Sequence, residues 1–307
     1  MTVYGAFSRF IDQASTLYII AAGRQRAFSR TPPGAPPLVE ALLERVATGP
    51  ARIRWPQERP RHRTRIPIDI PFLGQATFLD FLPATGVADT LLVYHHGLGE
   101  PHDITPMTIR VSRRLRERCD IVALKGLGHK SIQDVGELIA DRDDLIDALL
   151  ASASVARAAI DDRRAHYRHA ALVGVSLGGV ITLIAASQQA PYDIFLPLVA
   201  GPDLRDLSLH SLFTTVLSQA WVRRAREAVW ADRLDLTPLL ASPEGAPIRP
   251  LLGQHDQLFR IGPQLAAYAR VPRARVTSVP GGHITVAART RIVVRHLLDQ
   301  LDEVCWA

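Results

Sequence analysis

One serine in the 307-residue chain is placed as a nucleophile has to be. In Ala171-Leu172-Val173-Gly174-Val175-Ser176-Leu177-Gly178-Gly179 an apolar run of strand character stops at Ser176 and a second apolar run begins. The serine therefore falls on a sharp turn from strand to helix. Such a turn lifts the hydroxyl clear of the backbone by holding its own residue in strained dihedrals, and it leaves no room for a Cβ on either side. Gly174 and Gly178 meet that demand and complete the pattern G-x-S-x-G. The Leu177 amide, at the first turn of the helix, then points at any negative charge forming beside the serine oxygen.

A serine hydroxyl is a weak nucleophile near neutral pH, so it needs a base, and the base needs an acid to orient it. Both follow in the chain at strand ends. The run Ile248 to Gly253 leads into a loop with Asp256, and Val276 to Val279 leads into Gly281-Gly282-His283. A second acid competes for the role: Asp203 follows the strand Ile194 to Ala200. Asp256, in a G-x-x-D loop 27 residues before His283, is the preferred acid; the neighbouring His255 is expected to point outward. The developing oxyanion also needs a second donor. The apolar strand Thr90 to His95 ends in His96-Gly97-Leu98-Gly99, a loop flexible enough to bring the Leu98 amide beside that of Leu177. His95, His96, His102 and Asp103 match no metal-ligand spacing, and no metal is expected.

These residues require elements that carry them to one place. From about residue 64, short β-rich runs alternate with helical stretches: 65–70, 76–82, 90–95, 120–124, 170–174, 194–200, 248–253 and 276–279 read as strands. The first two fit an antiparallel hairpin around Gly74. Helical periodicity fills 132–151, 177–189 and 285–301. Such alternation demands crossover connections, and so an α/β fold with a mostly parallel, eight-stranded sheet covered by helices on both faces.

From about residue 65 to 302, roughly three quarters of its length, the chain resembles the α/β-hydrolase superfamily. His96-Gly97 resembles its oxyanion loop, Gly174 to Gly178 its nucleophile elbow, Gly253 to Asp256 its acid loop and Gly282-His283 its histidine loop, in the order Ser, Asp, His. The resemblance implies acyl transfer to Ser176 followed by hydrolysis, with no metal or organic cofactor. The expected activity is a serine hydrolase acting on carboxylic esters or related thioester and amide bonds. The alternatives are an acyltransferase or lyase on the same triad, or a non-catalytic ligand-binding module.

Two segments lie outside that core pattern. An insertion at about 202–245 carries Leu209, Leu212, Phe213, Val216, Leu217, Ala220 and Trp221 at helical spacing, followed by Arg223, Arg224 and Arg226. It is expected to form a small helical lid beside the acyl pocket. Residues 1–62 form an N-terminal helical, basic extension to a hydrolase domain at 63–307. There Phe7, Phe10, Ile11, Ala14, Leu17, Tyr18 and Ala21 mark an apolar helix face, which is expected to be buried against the main domain or a second subunit, with an interfacial membrane helix as the sharper alternative. A short helix is expected at 38–47.

Composition narrows the partners. At 47% hydrophobic residues the chain can bury a large core. The net charge of +6 is almost wholly arginine, since Lys125 and Lys130 are the only lysines. Residues 24–65 hold ten arginines against Glu40, Glu44 and Glu58, a solvated basic face or a contact for an acidic partner or anionic surface. No nucleic-acid signature accompanies it, so the partner expected is a small acyl substrate, with homodimerisation open and membrane contact not favoured. Cys119 and Cys305 have no metal or disulfide-framework spacing, and neither a signal peptide nor a membrane span is evident, so a cytoplasmic protein is expected.

Overall fold

A computed structural model of the chain describes residues 3–23, 27, 51–71, 75–98, 113–124, 137–138, 140, 142–226 and 234–307. In chain order the elements are α1 (Val3–Gly23), β1 (Arg52–Ile53), β2 (Thr64–Ile70), β3 (Gln75–Leu82), β4 (Thr90–His95), α2 (Arg113–Arg118), β5 (Cys119–Leu124) and α3 (Arg142–Arg163). They continue with β6 (His169–Val175), α4 (Leu177–Ser187), β7 (Ile194–Leu198), α5 (Leu204–Leu209), α6 (Gln219–Ala225) and α7 (Thr237–Leu240). The chain closes with β8 (Leu251–Gly253), α8 (Ile261–Tyr268), β9 (Thr277–Val279), α9 (His283–Ala287) and α10 (Thr290–Val304).

The strands form one sheet in the order β1-β2-β3-β5-β4-β6-β7-β8-β9. Pairing is antiparallel from β1 through β3 to β5 and parallel from β5 to β9. The eight expected strands are thus joined by a ninth of two residues, β1, which pairs Arg52 with Asp69 and Ile53 with Ile68 at the sheet edge. Pro250 cuts the expected strand 248–253 short, because proline has no N–H to give to a ladder. Ile248 keeps only isolated bridges, to Phe195 and Ala274, and regular pairing begins at Leu251.

Each central strand has two apolar faces, as a parallel sheet sandwiched between helices needs. Leu91 and Val93 of β4 and Ala170 and Leu172 of β6 join one core cluster, which includes Val155 and Ile160 of α3, Val180 and Leu183 of α4, and Tyr268 of α8. Their neighbours Leu92, Tyr94, Ala171 and Val173 join a second cluster with Leu115 of α2 and Val293, Leu297 and Leu301 of α10. The strand period of two thus assigns alternate residues to opposite helical layers.

Several expectations change. The helix expected to end at 151 continues to Arg163 as α3, through the alanine-rich stretch Ala151 to Ala159 that favours helix. The helix expected over 209–221 of the insertion is, among the described residues, a series of short pieces. Helix α5 ends at Leu209, and Ser211 caps a 3-10 turn, Leu212–Thr215. The backbone of Ala27 then inserts beside the chain, its N–H donating to Val216 O at 2.7 Å and its C=O accepting from Ser218 N at 2.8 Å. Those backbone groups are spent on a β-bridge, so the helix resumes only at Gln219. Its apolar residues still pack: Leu209, Leu217, Trp221 and Val222 form a cluster with Ala27 and Leu145.

Over residues 4–16, helix α1 turns inward a different face from the one expected; the side chains of Leu17, Tyr18 and Ala21 lie outside the described ones. Ser8, Asp12 and Thr16 are buried, while Phe7 and Phe10 are 54% and 63% exposed. Asp12 points inward because its carboxylate meets backbone N–H groups that need acceptors, while Ser8 meets the Thr285 hydroxyl and Thr16 donates back to the Asp12 carbonyl.

Part of the basic segment is neutralised within the chain. Arg54 pairs with Asp69, Arg63 with Asp80, and Arg59 with the fully buried Asp120. Cys119 and Cys305 are buried free thiols. Among the described residues no helix is long and apolar enough to cross a membrane. The expected helix at 38–47, Gly74, His102 and Asp103 lie outside the described residues, as do the arginines between 24 and 45.

Candidate active site

The site is assembled where the strand order reverses. Strand β4 lies between β5 and β6, so the connections leaving β4 and β6 diverge and open a crevice beyond their carboxyl ends. In the β4–β6 pairing His95 stands opposite Gly174. Leu98 lies three residues beyond His95 and Leu177 three beyond Gly174, so the two candidate oxyanion residues follow the ends of adjacent strands. The side chains of Leu98 and Leu177 pack against the same apolar cluster from the insertion, together with Phe213.

Ser176 has φ 54° and ψ −112°, a region that costs a non-glycine residue of order 1–3 kcal/mol. Its N–H donates to Leu198 O at 2.8 Å, tying the turn to β7. The flanking glycines have a steric reason. A Cβ on Gly174 would lie 1.9 Å from Gly178 O, and one on Gly178 would lie 2.3 Å from His95 O. Gly179 is as tight, with the Ala200 methyl 2.4 Å from where its Cβ would stand.

Three side chains separated widely in sequence form a hydrogen-bonded series. His283 Nε2 lies 2.8 Å from Ser176 Oγ, and His283 Nδ1 lies 2.9 Å from Asp256 Oδ2. A carboxylate accepts only, so Nδ1 carries the proton and donates to Asp256, leaving Nε2 to accept from the serine hydroxyl. Asp256 is held in turn by its other oxygen, Oδ1, which accepts from the N–H groups of Leu258 and Phe259, both at 2.8 Å. The Phe259 ring stacks on His283 with centroids 5.8 Å apart. His283 is 3% exposed and Asp256 5%. Burial pushes the imidazole pKa down, but the carboxylate of Asp256, and beyond it that of Asp12, outweigh the burial and leave it above the usual histidine value.

Asp203 is elsewhere. It caps α5, its Oδ1 accepting from Asp206 N at 2.9 Å, and its backbone N–H donates to Gln264 Oε1 at 3.2 Å. His96 and His95 turn their Nδ1 atoms to the backbone oxygens of Gly97 and His96, at 2.8 and 2.9 Å, and so shape the loop that carries Leu98. His255 is half-buried rather than outward, its ring set against Gly5 of α1.

Two residues at the site escaped the sequence reading. Phe259 had no signal beyond being aromatic. Asp12 had one: Ser8, Asp12 and Thr16 recur every four residues along α1. Its Oδ2 accepts from His283 N at 2.9 Å and from Gln257 N at 3.4 Å, and its Oδ1 accepts from Ile284 N at 3.0 Å.

The fold is that of the α/β-hydrolases. No family model and no curated protein matches the chain in sequence. Solved structures do match in fold. An acetyl xylan esterase from Paenibacillus sp. R4 aligns over 87% of this chain and 93% of its own, at 14% identity and a TM-score of 0.61. A cold-adapted esterase from an Arctic intertidal metagenomic library aligns over 81% of this chain and 98% of its own, at 20% identity and a TM-score of 0.56. The acylaminoacyl peptidase of Pyrococcus horikoshii matches over 79% of this chain but 41% of its own, at 14% identity and a TM-score of 0.56.

Proposed function

We propose that the protein is a serine hydrolase that cleaves carboxylic esters through an acyl-enzyme, with Ser176 as nucleophile, His283 as general base and acid, and Asp256 as the orienting acid. The observation that carries this reading is the 2.8 Å contact between Ser176 Oγ and His283 Nε2, made by a serine held at a positive φ. The fold-level neighbours support it, being esterases and a peptidase by name.

In the first half-reaction Ser176 Oγ attacks the ester carbonyl carbon while its proton passes to His283 Nε2. The carbonyl electrons move onto oxygen, and the amides of Leu177 and Leu98 hold the resulting anion; each such donor is worth about 3 kcal/mol in the transition state. Collapse of the intermediate breaks the bond to the alcohol, whose oxygen takes the proton from Nε2. Water then repeats the sequence on the acyl-serine, giving its proton to Nε2 and releasing the acid with Ser176 restored. Asp256 keeps the imidazole in the required tautomer and stabilises the imidazolium at each transfer.

The apolar cluster that joins Leu98 and Leu177 to Phe213, Leu217 and Trp221 favours an acyl or alcohol group with a hydrophobic body. The test is labelling by a fluorophosphonate probe, with Ser176→Ala alongside, and turnover of a chain-length series of p-nitrophenyl esters. Wild-type labelling that is lost in Ser176→Ala is the expected result. Folded wild type that neither labels nor hydrolyses any ester would leave a ligand-binding module as the reading.

A further inference from the structure

We propose that Asp12, on the N-terminal helix outside the hydrolase pattern, is a positioning residue for the catalytic histidine: its carboxylate clamps the histidine loop to the acid loop and keeps a second negative charge behind the imidazole. The inference rests on the serine-hydrolase reading above.

Asp12 reaches the site from 271 residues away in sequence. It is fully buried, and its oxygens receive backbone N–H groups from His283, Ile284 and Gln257. One of those amides belongs to the base itself, and another to the residue that follows the orienting acid. One carboxylate therefore spans both loops whose separation sets the His283–Asp256 distance. The loop is shaped for this approach, because a Cβ on Gly282 would lie 2.6 Å from Asp12 Oδ2. Neighbouring contacts on α1 reinforce the docking. Thr285 Oγ1, which accepts from Gly282 N at 2.8 Å, is itself 3.3 Å from Ser8 Oγ, and Arg289 lies over the Tyr4 ring at 4.8 Å.

Every donor around Asp12 is a backbone N–H, a set suited to the ionised carboxylate. Burial raises its pKa, and the amides of Ile284 and His283 oppose that rise. The charged groups that face His283 are Asp256 from the acid loop and Asp12 from α1, with Ser176 and Phe259 as its uncharged neighbours. Arg9, His210, His255 and Arg260 line a cavity that Asp256 also borders. Two carboxylates thus act on the imidazole, and the charge it acquires on taking the serine proton is favoured by both.

The test uses the full chain with the p-nitrophenyl ester that wild type turns over best, comparing Asp12→Asn and Asp12→Glu. Folding is checked by thermal unfolding. In Asp12→Asn an amide NH2 faces backbone N–H groups and the charge is gone. Expected are a kcat about tenfold to a hundredfold lower, a KM within about twofold of wild type, and an acid limb of kcat/KM moved to lower pH. Asp12→Glu keeps the charge and displaces the oxygens by one methylene, so kcat falls while the acid limb stays near that of wild type. Folded Asp12→Asn with wild-type kcat and an unmoved acid limb overturns the inference, as does wild-type kcat in Asp12→Glu. If neither variant folds, Asp12 holds the fold as a whole and the inference also fails. Inactive wild type would instead remove the hydrolase reading itself, an outcome distinct from these.

Discussion

Gly178, on the first turn of α4, sits so close to His95 at the end of β4 that a Cβ would lie 2.3 Å from the His95 carbonyl oxygen. The contact joins the serine turn to the strand that carries the candidate oxyanion loop. Any side chain at 178 must push these two parts of the site apart. Gly178→Ala is therefore expected to lower kcat/KM by at least a hundredfold, since a misplacement near 1 Å costs about that much. A folded variant with wild-type turnover would contradict the close approach.

The rival acids make separable predictions. Asp256→Asn takes away the acceptor that fixes the His283 tautomer, and kcat should fall by about a thousandfold to ten-thousandfold. Asp203→Ala removes a helix cap, costing about 1 kcal/mol in stability and leaving kcat within a few-fold of wild type. Steady-state kinetics with chemical denaturation on both variants decides between them; equal losses of kcat would refute the assignment.

The pH profile has a defined sign. Only neutral His283 can accept the Ser176 proton, and its pKa lies above the ordinary histidine value because Asp256 and Asp12 outweigh the effect of burial. The kcat/KM profile should be low in acid and rise through a midpoint above about pH 6.5. A midpoint below that value would mean that burial dominates.

Remote from the site, Asp120 is buried and binds Arg59, Tyr167 Oη and the Ala84 N–H. Arg59→Ala leaves that carboxylate without its cation, and a loss of about 2–3 kcal/mol is expected in urea unfolding. A change under about 0.5 kcal/mol would show the pair to be of the weak, surface type.

The exposed aromatics of α1 carry an opposite expectation. Phe7 and Phe10 face away from the domain, so Phe7→Ser and Phe10→Ser should each alter stability by less than about 0.5 kcal/mol. A larger loss, or a change in oligomeric state by light scattering, would reveal a covering surface.

The parts of the fold that depend on local pattern were legible in the residues alone. Strand and helix periods set the order of elements, and the glycine-framed Ser176 and the strand-end loops of Asp256 and His283 follow from turn chemistry within a few residues of each. Gly174 and Gly178 were readable because steric exclusion acts between near neighbours. Contacts decided at long range were not. The orientation of α1 depends on backbone amides about 270 residues away that need an acceptor, so the apolar stripe of Phe7 and Phe10 gave the wrong inward face and Asp12 went unnoticed. The helix expected in the insertion is interrupted at Val216 because Ala27, far back in the chain, uses the backbone groups that a continuing helix would have needed. Periodicity reports which side chains share a face, whereas unpaired backbone donors and acceptors, visible only in the folded chain, decide what that face meets.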